Sequence, residues 1–193
     1  MAVLSLLALA IGVGLTRSDP HRAPDSEGPL FWGLADSMGA GVRVGKPFTY
    51  GHVTVFTSGN RAAVLDDVRL WRPTPGLRLL AKRADLPSRD APHGTLARAP
   101  WYPPRGIRLH PLRGFVVPTN GYVDGMVRPE RGVNIVLGLE IARPGRFSFH
   151  GIVVRYHVGD QHYELVVHQA LQVCSRAHPL SQGCPDLPLS DVV

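Results

Sequence analysis

From Val133 to Ile141 the apolar side chains fall on the odd positions, Val133, Ile135, Leu137, Leu139 and Ile141. The even positions are Asn134, Val136, Gly138 and Glu140. A period of two is what a half-buried strand requires, because successive side chains point to opposite faces of a sheet. Extended to the stretch from Gly132 to Cys174, the pattern predicts three consecutive strands around which the rest of the chain is organised.

The last two of these strands can be paired by counting. Gly159-Asp160 suits the centre of a tight hairpin, since glycine accepts the positive φ that such turns need. Val158 then faces Gln161, Tyr156 faces Tyr163, Val154 faces Leu165 and Ile152 faces Val167, so one face is aromatic and aliphatic and belongs to the core. The other face pairs His157 with His162, Arg155 with Glu164 and Val153 with Val166. A slip of one residue would set core side chains opposite solvent ones, which argues for this register.

Upstream, strand signals cover Val42 to Val44, Phe48 to Thr57, Ala62 to Trp71 and Gly76 to Lys82, with Ser58-Gly59-Asn60 as a turn. In the third of these, Val64, Val68 and Leu70 share a parity with Asp66, an imperfect alternation that suggests a bulge at Asp66-Asp67. Asp85 to Pro104 holds Pro87, Pro92, Pro100, Pro103 and Pro104 and reads as a long loop, since each proline removes a backbone donor. Trp101 and Tyr102 within it either cap the core edge or form a binding loop. Two short strands are expected at Ile107 to Leu109 and Gly114 to Val117, followed by turn chemistry from Thr119 to Arg131.

Seven to nine short strands with no helix after the N-terminus predict an all-β chain, an antiparallel immunoglobulin-like β-sandwich preceded by an apolar helix. A small barrel is the alternative, and the Cys–Trp–Cys spacing of antibody domains is missing.

Ala2 to Leu15 is an uninterrupted apolar run followed at once by Arg17, Asp19 and Arg22. It is shorter than the ~20 residues that usually span a bilayer and matches the core of a signal peptide. An uncleaved anchor, a cleaved signal peptide and a buried core helix all fit it, and the first two place the remainder outside the cytoplasm. The expected organisation is a membrane anchor or signal segment over 1–16, a linker over 17–39, a β-sandwich over 40–175 and a tail over 176–193.

Composition changes the picture little. The net charge of +6 comes from arginines spread along the chain without a dense run, which fits a solvated surface and speaks against nucleic acid. Only Cys174 and Cys184 are cysteine, and outside the cytoplasm they are expected to form a disulfide that ties the tail to the last strand.

Candidate chemistry is sparse. His157 and His162, opposite each other on the solvent face, could share a Zn²⁺ or Cu²⁺ ion, although the neighbouring Arg155 would repel a cation. His150 and His168 lie near the other end of the same strands. Asp66 and Asp67 are expected to point to opposite faces, as adjacent strand residues do. The sequence carries no G-x-S-x-G, H-E-x-x-H or phosphate-binding glycine loop, so no catalytic residue is assigned, no cofactor is called for and the chain is not expected to be an enzyme.

With its apolar start, its tether, the run R-P-G-R-F-S-F-H-G-I-V-V-R-Y-H-V-G-D from Arg143 to Asp160 and Cys174 closing the last strand, the chain resembles small exported or membrane-anchored β-sandwich proteins of actinobacteria. The resemblance implies a fold and a location and supplies no active site or ligand. The function expected is a non-enzymatic binding or scaffold module at the outer side of the membrane, contacting another envelope protein. The alternative is a small-ligand or metal carrier using the hairpin histidines or a pocket under the Trp101-Tyr102 loop; an envelope-polymer hydrolase would need convergent carboxylates.

Overall fold

The computed structural model describes residues 28–33, 38–86, 98–123, 126–128 and 131–175. Within them the chain is all-β, with almost no helix. The apolar segment 1–16, most of the linker, residues 87–97 of the long loop and the tail 176–193 lie outside the described residues.

The strands are β1 (Leu30–Trp32), β2 (Met38–Val42), β3 (Phe48–Thr57), β4 (Ala63–Trp71), β5 (Leu77–Asp85), β6 (Arg98–Ala99), β7 (His110–Pro111) and β8 (Phe115–Val117). They continue with β9 (Tyr122–Val123), β10 (Met126–Val127), β11 (Val133–Ile141), β12 (Gly145–Phe149), β13 (Gly151–Val158), β14 (Gln161–Val167) and β15 (Leu171–Ser175). One sheet has the order β1-β3-β11-β5-β7, with β6 also on β3. A second runs β14-β13-β4-β8, a third β12-β15-β2, and β9 pairs with β10. All ladders are antiparallel except β2 on β15.

The second and third sheets are joined by one long ribbon, whose halves are β13/β14 and β12/β15. The hairpin register is the one counted from Gly159-Asp160, from Val158↔Gln161 to Ile152↔Val167, and Gly159 has φ +61 as the turn requires. Beyond it the pairing resumes at Phe149↔Leu171 with one extra residue on the later strand. The irregularity at residues 168–170 divides the ribbon into β13/β14 and β12/β15, which is why the three expected strands appear as five segments.

One hydrophobic cluster draws on the first three of these sheets, so they enclose a common core. Leu65, Val68, Ile152, Val154, Tyr156, Leu165 and Val167 enter it from one side, and Val55, Ile135, Leu137, Leu139 and Ile141 from the other. Tyr50 of β3 meets Phe149 of β12 edge to face, with ring centroids 5.3 Å apart.

Three expectations change. β11 is not half-buried, because Asn134 and Val136 on its outer face are only 2% and 1% exposed. It is the central strand between β3 and β5, and Asn134 accepts a 2.5 Å hydrogen bond from its register partner Thr54 Oγ1. At Gly138 the outer face is covered by the ring of Tyr102, which lies where a Cβ would project. The short strand expected at Ile107 to Leu109 falls instead at His110–Pro111, an edge position where a residue without an N–H leaves no ladder bond unmade. The first strand signal lies at Met38–Val42 and stops before Gly45, whose φ of +64 turns the chain.

Candidate binding face and metal-ligand cluster

The outer face of β14-β13-β4 owes its chemistry to a bulge. Opposite β13, Arg155 pairs with Asp67 and Tyr156 pairs with Leu65, leaving Asp66 as the extra residue. Burial shows the same shift, with Ala63 and Leu65 buried before the bulge and Val68 after it. An extra residue cancels the alternation of side chains. Asp66 and Asp67 therefore both line an open depression on the outer face, which corrects the expectation that they diverge.

Most charges around this depression of ≈ 740 Å³ are paired. Lys82 Nζ donates to Asp67 Oδ1 at 2.6 Å, and Arg155 Nε donates to Glu164 Oε1 at 2.6 Å. Arg69 approaches the other Glu164 oxygen at 3.5 Å. Partial burial works to raise the Asp67 carboxyl, but the hydrogen bonds from Lys82 and the Val68 backbone, with the charges of Lys82 and Arg113, outweigh it and hold the group below its ordinary range. On the other sheet, burial pushes the Asp85 carboxyl up, against hydrogen bonds from Asn134 and the Leu86 backbone and the charge of His110.

Asp66 faces the two hairpin histidines. Its Oδ1 lies 2.9 Å from His157 Nδ1 and its Oδ2 lies 3.5 Å from His162 Nδ1. The imidazoles, directly opposite in the ladder, have centroids 5.4 Å apart. One donor atom from each of Asp66, His157 and His162 lies within 4.8 Å of the other two. Sequence reasoning named the two histidines and missed the carboxylate. The signal that could have found it was the break in parity at Asp66, which marks a side chain displaced onto the histidine face.

The other candidates are placed apart. His150 and His168 lie edge-on to Trp71 at 6.2 and 4.9 Å. Trp101 is 47% exposed, with the Arg105 guanidinium 5.5 Å from its ring centroid, and its backbone carbonyl accepts from Thr49 Oγ1 at 2.6 Å. Burial raises the Tyr102 phenol against the nearby charge of Arg83. Tyr102 fills with its own ring the space over Gly138, beneath the loop. Cys174 sits on β15, whereas Cys184 lies outside the described residues. Among the described residues no helix is long and apolar enough to cross a membrane. No family model matches the chain, and no curated protein matches it.

Proposed function

We propose that this chain is a non-enzymatic binding module of immunoglobulin-like β-sandwich type, held outside the cytoplasm by residues 1–16. It contacts another envelope protein through the outer face of β14-β13-β4. The strand order supports the fold assignment. Counting β1 as the first strand, with β2 set apart on β15, and the ribbon halves β12/β13 and β14/β15 as the sixth and seventh, β3, β4, β5 and β11 take places two to five. The first, second, fifth and fourth strands then lie side by side, and the third, sixth and seventh lie side by side in the other layer, as in constant-type immunoglobulin domains.

The observation that carries the binding assignment is where the charged depression lies. It opens beside the β13–β14 turn, where the Arg61 guanidinium from the β3–β4 turn occupies the space over Gly159. In variable-type domains the corresponding two turns belong to the end that binds antigen. A rigid sheet that presents acidic, basic and imidazole groups beside such turns suits a polar protein surface.

Glu164→Arg tests the assignment, because Glu164 is 45% exposed and its reversal turns a paired acid into repulsion with Arg155 and Arg69. After crosslinking in membranes of the native host, partner recovery should fall at least tenfold for this variant. It should hold for Arg78→Glu, whose side chain is 64% exposed and pairs with Glu140 of β11 on the other sheet. Equal recovery from both variants, or no partner for an abundant folded protein, contradicts it.

A further inference from the structure

Beyond partner binding, and independently of it, we propose that Asp66, His157 and His162 form a binding site for a divalent first-row transition-metal ion such as Zn²⁺. Two imidazoles and one carboxylate are the donor types such ions take, and three protein ligands with an open position are a common zinc arrangement.

The fold brings the three together by two separate devices. The hairpin register sets His157 and His162 directly opposite on the outer face, and the bulge in β4 supplies the carboxylate between them. Both devices sit on the paired strands β4, β13 and β14, so the donor positions are held by ladder hydrogen bonds rather than by a loop.

Distances fit with little adjustment. Ligands ~2.0–2.1 Å from a tetrahedral zinc stand about 3.3 Å from one another. The Asp66 oxygens already lie 2.9 and 3.5 Å from the two Nδ1 atoms, and the widest donor spacing is at most 4.8 Å. The remaining closure falls to His162, whose side chain is 76% exposed and free to turn.

Electrostatics, the objection raised by Arg155, is answered by pairing. Arg155 is bound to Glu164 at 2.6 Å, and Lys82 to Asp67 at 2.6 Å, so both of these cations are matched by a carboxylate, while the charge of Arg113, which also lines the depression, acts on Asp67. The Asp66 carboxylate points at the imidazoles rather than at either cation. Imidazoles ligate in their neutral form, and a cation between them and Asp66 would replace the present Asp–His hydrogen bonding with coordination.

The test is a Zn²⁺ titration of the tag-free, full-length chain, followed by calorimetry and backbone-amide NMR. The expected result is saturation at one ion per chain, with shifts centred on residues 64–67 and 155–163. His162→Ala removes an exposed ligand without touching the core and should weaken binding at least about tenfold, the lower end of what losing even an outer partner costs a metal site. Asp66→Asn should do the same, and His150→Gln, remote beside Trp71, should leave binding unchanged. The proposal is overturned by absence of saturable binding, by equal affinity in His162→Ala, or by a loss of binding in His150→Gln.

Discussion

At the scale of single residues, Asp67 on the outer face of β4 is tied to Lys82 by an ion pair whose worth depends on pH. The Asp67 carboxyl sits below its ordinary range in the folded chain, so its contribution to stability is complete above the unfolded carboxylate range and is lost as pH falls through the folded value. Lys82 donates its main hydrogen bond, and Lys82→Met removes it. Both side chains are about a third exposed, so solvent screening keeps the cost below about 1 kcal/mol at neutral pH. Thermal melts across pH should show the two proteins separated at neutral pH and converging in acid. A gap that persists in acid would mean that the effect comes from lost packing of the lysine stem. Asp85 behaves oppositely: burial raises its carboxyl, so it favours the folded state most when protonated and opposes it as pH rises.

At the scale of elements, the hairpin is the part most legible in the sequence, because both faces constrain one register. Its aromatic and aliphatic face and its charged and imidazole face come into phase only when Gly159-Asp160 forms the turn. Gly159→Ala tests this directly: a Cβ at φ +61 costs about 1–2 kcal/mol, and the Arg61 guanidinium must also move away. Urea unfolding should show that loss, and unchanged stability would contradict a left-handed residue at 159. The strand β4 was half legible. Its broken parity pointed to a bulge, but the consequence, two adjacent carboxylates on one face, depends on pairing with β13, which local pattern does not contain. β11 was misread on its outer side for a similar reason. What covers Asn134 and Val136 is set by neighbours distant in sequence, and Tyr102 reaches Gly138 from a proline-rich stretch without strand periodicity.

At the scale of the whole molecule, an all-β chain was readable from strand count and turn chemistry, whereas the distribution of strands among sheets was not. Consecutive strands β3, β4 and β5 alternate between sheets, and β11 returns to lie between β3 and β5. Such crossovers leave no mark in the alternation of side chains, because a strand facing a core reads alike in either layer. The segment 98–117 adds to two sheets, with β6 and β7 on one and β8 on the other. This arrangement leaves the outer face of β14-β13-β4, the surface proposed to meet the partner, carrying a charged depression next to the β13–β14 turn. The most direct measurement places a photoreactive side chain at the exposed outer-face position His162, and in a separate variant at Arg78 on the other sheet, in full-length protein in membranes of the native host. If the outer face of β14-β13-β4 meets the partner, position 162 gives one discrete adduct and position 78 gives none. An adduct from position 78 alone, or equal yields from both, would contradict that contact.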